Sequence, residues 1–307
     1  MLGIKEIASY VPNERRSNYE LMGKFDVGSE FLEKKIGVRQ RAIKGKQERA
    51  SDMCVKAFEA LVNKTDIDLS QIDCCVVVTQ TPDFNIPHTS AIVHGKLGLK
   101  ENCACFDISL GCSGYVYGLA VVISFMEANN LRHGLLFTSD PYSEIVDEND
   151  KNTALLFGDA STVTYIGEEP KFTLGKTLFG TWGKEFDALI KKEKLSMNGR
   201  SVFNFTVLKI PEHIKRTVEE NNLKMEDIDL FLLHPGSKYI VDMIVARTGI
   251  DKSRVPFEMY DYGNTVSSSI PLMLENRLDK NDIRYMLLSG YGVGLSWATT
   301  VLRRERP

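Results

Sequence analysis

Two hydrophobic periods alternate along the chain and predict its elements. Met1-Leu2-Gly3-Ile4-Lys5-Glu6 opens as a strand, and Met53, Ala57, Phe58 and Leu61 then fall at helical spacing behind Ser51, which predicts a helix capped by Ser51. Cys74 to Val78 is a short, wholly apolar run, the pattern of a buried strand. Ser90 to Leu97 reads as helix, Cys105 to Ser109 as strand, Tyr115 to Asn129 as a long apolar helix, and Leu135 to Thr138 as the next strand. Strands alternating with helices mean an α/β architecture, with crossover connections and helices on both faces of the sheet.

The second half repeats the order of the first. Ile72-Asp73 and Ile228-Asp229 each lead into a strand and lie 156 residues apart. Leu97-Gly98 and Thr248-Gly249 are 151 apart, Gly111-Cys112 and Gly263-Asn264 are 152 apart, and Leu135-Leu136 and Leu287-Leu288 are 152 apart. One offset recurring over strand, helix, turn and strand implies a duplicated α/β unit. Ligands of α/β units gather at strand carboxyl ends, so the residues after Gly111 and Gly263 are expected to face each other.

Composition narrows the function classes. At 307 residues, 43% hydrophobic and 26% charged, the chain is long enough for one large or two intimate domains and should fold throughout. A formal charge of -3 gives no basic field for a nucleic-acid backbone. No apolar run approaches the ~20 residues of a membrane span, and the N-terminus lacks a secretory pattern, so a cytoplasmic protein is expected. Six cysteines without zinc spacing read as reduced thiols rather than bridges or metal ligands.

Three residues stand out for chemistry. Cys112, in Leu110-Gly111-Cys112-Ser113-Gly114, sits between a strand and a long helix, where flanking small residues permit a sharp turn. The field of a helix N-terminus there predicts a thiol pKa lowered toward neutrality, hence a nucleophile. His234 ends the apolar strand Phe231-Leu232-Leu233, and Pro235 stops that strand, leaving the imidazole at its carboxyl end. Asn264 follows Gly263 at the position the repeat aligns with Cys112, and it offers an uncharged hydrogen-bond donor. A papain-like protease also orders Cys, His and Asn this way, but the duplicated α/β pattern and Ser113 beside the nucleophile do not suit it.

With these residues in place, the chain resembles the thiolase-fold condensing enzymes, most closely the ketoacyl-acyl carrier protein synthase III group. The resemblance runs through Ser9-Tyr10-Val11-Pro12, Lys35-Ile36-Gly37-Val38-Arg39, Gly111-Cys112-Ser113-Gly114, Phe157-Gly158-Asp159, Tyr262-Gly263-Asn264-Thr265 and Gly290-Tyr291-Gly292-Val293-Gly294. It implies a layered αβαβα fold in two pseudo-equivalent halves, 1–165 with the nucleophile and 166–307 with the His and Asn. It implies Cys112, His234 and Asn264 as catalytic residues, with backbone N–H groups of Cys112 and Val293 as the oxyanion hole.

The implied reaction is acyl transfer to Cys112 and then decarboxylative condensation with a malonyl thioester, as a homodimer and with no cofactor beyond coenzyme A or acyl carrier protein thioesters. The resemblance also assigns Ile86, Phe157 and Tyr291 to the border of the acyl pocket, Ile86 from across a dimer interface. Phe31, Lys35 and Lys151 stand where the family often has a Trp and arginines for the nucleotide, and Val293 where a glycine is common. Lys238 and Arg247, beyond His234, are candidates to meet an acidic carrier protein. The triad alone leaves two rivals: acyl transfer to an alcohol or amine, and a non-catalytic partner subunit of a synthase. The run Gly290 to Gly294 reads as a tight turn under the site and not as a phosphate loop.

Overall fold

The computed structural model describes residues 1–305. Its strands are β1 Leu2–Tyr10, β2 Glu14–Ser17, β3 Gln40–Ile43, β4 Cys74–Val78, β5 Ala104–Ile108, β6 Gly134–Ser139, β7 Ser161–Glu168, β8 Phe172–Leu174, β9 Leu178–Thr181, β10 Leu189–Lys191, β11 Leu195–Met197, β12 Leu230–Leu233, β13 Tyr285–Gly292 and β14 Ser296–Arg304. Its helices are α1 Met22–Phe25, α2 Ala50–Val62, α3 Thr89–Leu97, α4 Gly114–Ala128, α5 Lys151–Ala154, α6 Gly199–Glu220, α7 Lys238–Thr248 and α8 Ser269–Glu275. Every element predicted in the first 140 residues is present, with ends within one or two positions except at β1, which runs four residues beyond the Glu6 that closed the opening run.

One correction concerns the start of α2. Its N-cap is Arg49, whose N–H donates to the Asp52 carboxylate at 2.9 Å, while Ser51 lies inside the helix and its hydroxyl donates to Asp83 at 2.6 Å. Asp83 also accepts from the Ser51 N–H at 2.9 Å, so it serves an orphan donor of the first turn and occupies the hydroxyl that was expected to cap.

The main sheet runs β12-β13-β14-β8-β1-β7-β6-β4-β5, with β9 on β14. The two halves meet where β1 touches β8 through the single pair Ile4 and Phe172. Within each half the pairing follows one rule: β4 with β6 and β12 with β13 are parallel, and the strands that follow them, β7 and β14, are antiparallel. Helices α2 and α3 cover the outer face of the first half, α6 and α7 that of the second, and α4 and α8 lie between, touching strands of both halves. This is the αβαβα layering.

Side-chain alternation builds the layers, because successive strand residues point to opposite faces. Cys74, Val76 and Val78 face the central helices, and Cys75 and Val77 face α2 and α3. In the duplicated strands Leu136 and Leu288 point to the centre, while Leu135 and Leu287 point outward. The aspartates of the repeat match too. Asp73 accepts from the N–H groups of Arg132 and His133, and Asp229 from those of Arg284 and Tyr285, so each ties its strand's entry to the neighbouring parallel strand. Gly98 (φ 65°) and Gly249 (φ 75°) close equivalent helices in the left-handed conformation.

The symmetry fails at one edge. Residues 256–260, which the 152-residue offset aligns with β5, form no strand, since Pro256 offers no N–H to a ladder. The carbonyls of Tyr260 and Tyr262 are taken instead by the N–H groups of Arg39 and Ala42. No helix among the described residues is long and apolar enough to cross a membrane.

Candidate active site

A cavity of about 330 Å³ brings Cys112, His234 and Asn264 to one wall, together with Phe157, Tyr291 and Gly292. The three residues are 5%, 2% and 2% exposed. Cys112 lies two residues before the first turn of α4, which begins at Gly114. The glycines around it are demanded by close approach and not by backbone conformation. A Cβ at Gly111 would lie 2.6 Å from the Gln80 side-chain oxygen and 2.9 Å from Val293 Cγ1, and one at Gly114 would lie 2.5 Å from Val78.

The run Gly290 to Gly294 follows the same logic and departs from the expected turn. Its first three residues finish β13, and only Val293–Leu295 turn. A Cβ at Gly290 would stand 2.6 Å from the Cys112 carbonyl oxygen, and one at Gly292 2.9 Å from its Sγ. Two missing side chains let the strand of the second half lie directly against the nucleophile. Val293 turns its side chain onto Gly111, leaving its backbone N–H on the thiol side.

The thiol itself contradicts the expected activation. Burial, with a smaller push from Asp140, drives Cys112 up to about 12, although the backbone N–H groups of Cys112 and Val293 pull the other way. A helix-terminal field is worth about 0.3–1 kcal/mol, too little to offset the lost solvation of a thiolate with no cation beside it among the described residues. The sulfur rests as a thiol. The same two N–H groups nevertheless converge on it, the arrangement expected of an oxyanion hole.

Burial also depresses His234, to about 3, so its ring is neutral. The hydrogen-bond network assigns its tautomer. Ser269 donates its hydroxyl to the Val266 carbonyl at 2.9 Å and therefore accepts from His234 Nδ1–H at 2.7 Å. Nε2 is left as an acceptor, 3.4 Å from Asn264 Nδ2. Asn264 is fixed in that sense because its Oδ1 accepts from the Val266 N–H at 2.9 Å. The donor role expected of His234 therefore needs a proton at Nε2, either added to the ring or moved from Nδ1, in which case Ser269 turns its hydroxyl to donate to Nδ1.

The backbone under Asn264 explains the Phe157-Gly158-Asp159 motif. Asn264 N–H donates to the Leu156 carbonyl at 2.8 Å, and Gly158 N–H to the Asn264 carbonyl at 3.0 Å, so the motif is a pedestal from the first half. A Cβ at Gly158 would sit 1.9 Å from the Tyr262 oxygen. Gly158→Ala is expected to destabilise the protein by at least about 1–3 kcal/mol, read as a lowered melting temperature. A melt like that of the wild type would overturn this account of the pedestal.

The other predicted residues divide. Phe31, Lys35 and Lys151 line the mouth of the cavity, with Lys151 Nζ 5.7 Å from the centre of the Phe31 ring. Phe157 and Tyr291 line its interior, and the Tyr291 hydroxyl donates to the His234 carbonyl at 2.6 Å. Ile86 is outside the cavity and 87% exposed. Lys238 and Arg247 are outside it as well. Lys238 is committed to an ion pair with Asp242, and Arg247 stands exposed in the last turn of α7.

Sequence reading missed Arg200, Phe203 and Tyr239 at the mouth, where Phe203 stacks on Tyr239 at 5.3 Å and Lys35 lies 4.2 Å over the Tyr239 ring. It missed Ser269, Gln80 and Asp140 behind the site for the same reason. Polar residues on helices and loops carry no periodic signal that separates them from solvated positions.

Comparison with known proteins identifies the family. Residues 106–183 match the family described as 3-Oxoacyl-[acyl-carrier-protein (ACP)] synthase III, and residues 218–304 match its C-terminal part. A Beta-ketoacyl-[acyl-carrier-protein] synthase III of Streptococcus pneumoniae (strain Hungary19A-6) is 32% identical over 319 aligned positions, covering 97% of this chain and 98% of that protein. The structure of such a synthase from Thermus thermophilus superposes with a TM-score of 0.92 at 31% identity, over 99% of each chain. A priming beta-ketosynthase from the R1128 polyketide biosynthetic pathway superposes at 0.90 with 26% identity, over 100% of this chain and 97% of that one. The chain has the thiolase-like fold of these enzymes and belongs to the β-ketoacyl-[acyl-carrier-protein] synthase III family.

Proposed function

We propose that the protein condenses an acyl thioester with a malonyl thioester, releasing carbon dioxide, through an acyl group carried on Cys112. The observation that carries this reading is one apolar cavity in which residues 1–165 present a thiol and residues 166–307 present a neutral imidazole and an amide. Catalysis in this reading uses the chain's own residues and no resident cofactor.

As Cys112 Sγ attacks the acyl carbonyl, its proton passes to His234 Nε2, the acceptor in the same cavity, and the developing oxyanion takes hydrogen bonds from the N–H groups of Cys112 and Val293. The leaving thiolate recovers that proton. A malonyl thioester then breaks its bond to the carboxylate, carbon dioxide departs, and the enolate oxygen is met by Asn264 Nδ2 and by Nε2–H of the other His234 tautomer. That tautomer needs one proton moved from Nδ1 to Nε2 by exchange with solvent, after which Ser269 turns its hydroxyl from Val266 to donate to Nδ1. The enolate carbon attacks the acyl group, the β-ketoacyl thioester leaves, and the Cys112 thiolate takes up one proton. The low-dielectric cavity strengthens each of these hydrogen bonds.

The mouth suits a phosphate-bearing thioester arm, since Lys35, Lys151 and Arg200 stand around the aromatic rings of Phe31, Phe203 and Tyr239. Coenzyme A and acyl carrier protein both carry such an arm. Lys in place of Arg gives point charges without bidentate geometry, which favours a carrier protein, held also by contacts outside the cavity such as Arg247. A cytoplasmic homodimer completes the reading. Its support is β5 at the edge of the sheet and the exposed Ile86 near it, free to enter a second protomer's site.

Intact-protein mass spectrometry tests the proposal. Incubation with a panel of acyl-coenzyme A and acyl-carrier thioesters should add one acyl mass, and malonyl-carrier protein should discharge it with release of carbon dioxide. An adduct that turns over only with an alcohol or amine would replace condensation by simple transfer. No adduct from any donor would refute the reading in favour of a non-catalytic subunit.

A further inference from the structure

Asp140 has no part in the scheme above, yet its carboxyl is fully buried immediately after β6, beside the nucleophile. One oxygen accepts from the Gln80 N–H at 2.6 Å; the other accepts from the Ser267 hydroxyl at 2.5 Å and, at 3.4 Å, from the Ser267 N–H. These partners belong to different segments of the site. Gln80 follows β4, and its side-chain oxygen stands against Gly111 while accepting from the Tyr142 hydroxyl at 2.8 Å. Ser267 lies in the turn between Asn264 and Ser269, the residue that holds His234.

The chemistry of the partners asks for an ionised carboxylate. All three are donors, and a carboxylate accepts on both oxygens, whereas an amide or a protonated acid would turn a donor toward one of them. Among the described residues no cation compensates the burial: the groups hydrogen-bonded to Asp140 are the neutral Ser267, Gln80 and Thr79. Carboxylates buried at that cost concentrate at functional sites.

We propose that Asp140 is a positioning residue of the condensing site, holding the turn of Asn264 and His234 in register with Cys112 and setting a negative field behind the thiol. The positioning half rests on the condensation reading; the electrostatic half does not. Four titratable groups stand near Cys112 itself, Asp140, Tyr142, Tyr291 and His234, while the charges of Lys35, Lys151 and Arg200 and the Tyr239 phenol line the mouth of the chamber. Burial keeps the phenols of Tyr142 and Tyr291 and the imidazole neutral, leaving Asp140, itself raised by burial to about 6, as the charge near the thiol above that pH. An anion there disfavours the thiolate, so its removal lowers the thiol pKa.

The experiment measures two rates between pH 7 and 9.5, with thermal melts to confirm folding. One is iodoacetamide alkylation, read by mass on the Cys112 peptide, and the other is decarboxylation of a malonyl-carrier thioester. Asp140→Asn is expected to raise alkylation about three- to tenfold and to cut decarboxylation about tenfold. Ser267→Ala, which keeps the charge and loses the clamp, should cut decarboxylation without the gain in alkylation. Alkylation at the wild-type rate in a folded Asp140→Asn overturns the electrostatic half, and unchanged decarboxylation in both variants overturns the positioning half. A parallel fall in both rates marks general damage and overturns the proposal. Should Asp140→Asn not fold, Ser267→Ala decides the positioning half. Alkylation uses no thioester, so a wild type unable to decarboxylate would refute the condensation reading while alkylation still judged Asp140.

Discussion

Cys112→Ala is expected to abolish both the acyl adduct and condensation while leaving decarboxylation of the malonyl thioester largely intact. The chemistry divides this way because, among the described residues, the acyl group has no other thiol in the cavity to hold it. Of the six cysteines, Cys54, Cys74 and Cys75 lie in the core away from the cavity, and Cys103 and Cys105 sit on or beside β5 at the sheet edge. Loss of a covalent nucleophile lowers turnover by at least about 10³-fold. Decarboxylation, by contrast, depends on the donors that meet the enolate, Asn264 and His234, and neither rests on the sulfur. Cys112→Ser is expected to be nearly as inactive as the alanine variant, since the buried site offers no cation to ionise a hydroxyl. Intact mass and carbon dioxide release read the two steps separately. An acyl adduct persisting in Cys112→Ala, with condensation retained, would remove the proposed nucleophile.

The second large effect is the converse. Asn264→Ala should acylate at close to the wild-type rate and lose decarboxylation by about 10²–10³-fold, the usual cost of one oxyanion donor. His234→Ala should lose decarboxylation by as much and also slow acylation, because Nε2 is the acceptor offered to the thiol proton. Ser269→Ala separates the tautomers. It removes the group that can donate to Nδ1, so it should impair decarboxylation more than acylation. Equal losses in both steps for Asn264→Ala would mean that its side chain holds the site together and does not serve the enolate.

Much of the fold was legible because it is written in local periods. Cys74 to Val78 is a strand by its apolar run and its flanks, and the Leu135-Leu136 and Leu287-Leu288 pairs occupy matching faces of matching strands. The missing counterpart of β5 was legible in principle from Pro256. Two readings failed because they weighed a local effect without its surroundings. Ser51 was a sound helix cap until Asp83 took both its N–H and its hydroxyl within the first turn, and the helix start at Cys112 was a sound activator until burial withdrew the solvent. The supporting residues failed for another reason: Ser269, Gln80, Asp140 and Arg200 act through neighbours more than 20 residues away in the chain, and no single-sequence period records that.

The sequence by itself determined the α/β order and its duplication and singled out Cys112, His234 and Asn264 as candidates, because periodicity and motif spacing are properties of the chain. The tertiary structure alone decided their chemical state. Protonation of the thiol, neutrality of the imidazole, its tautomer and the burial of Asp140 all depend on which dipoles and apolar groups two distant halves bring within a few ångströms. Electrostatic energies follow distance and solvent exclusion, and folding sets both.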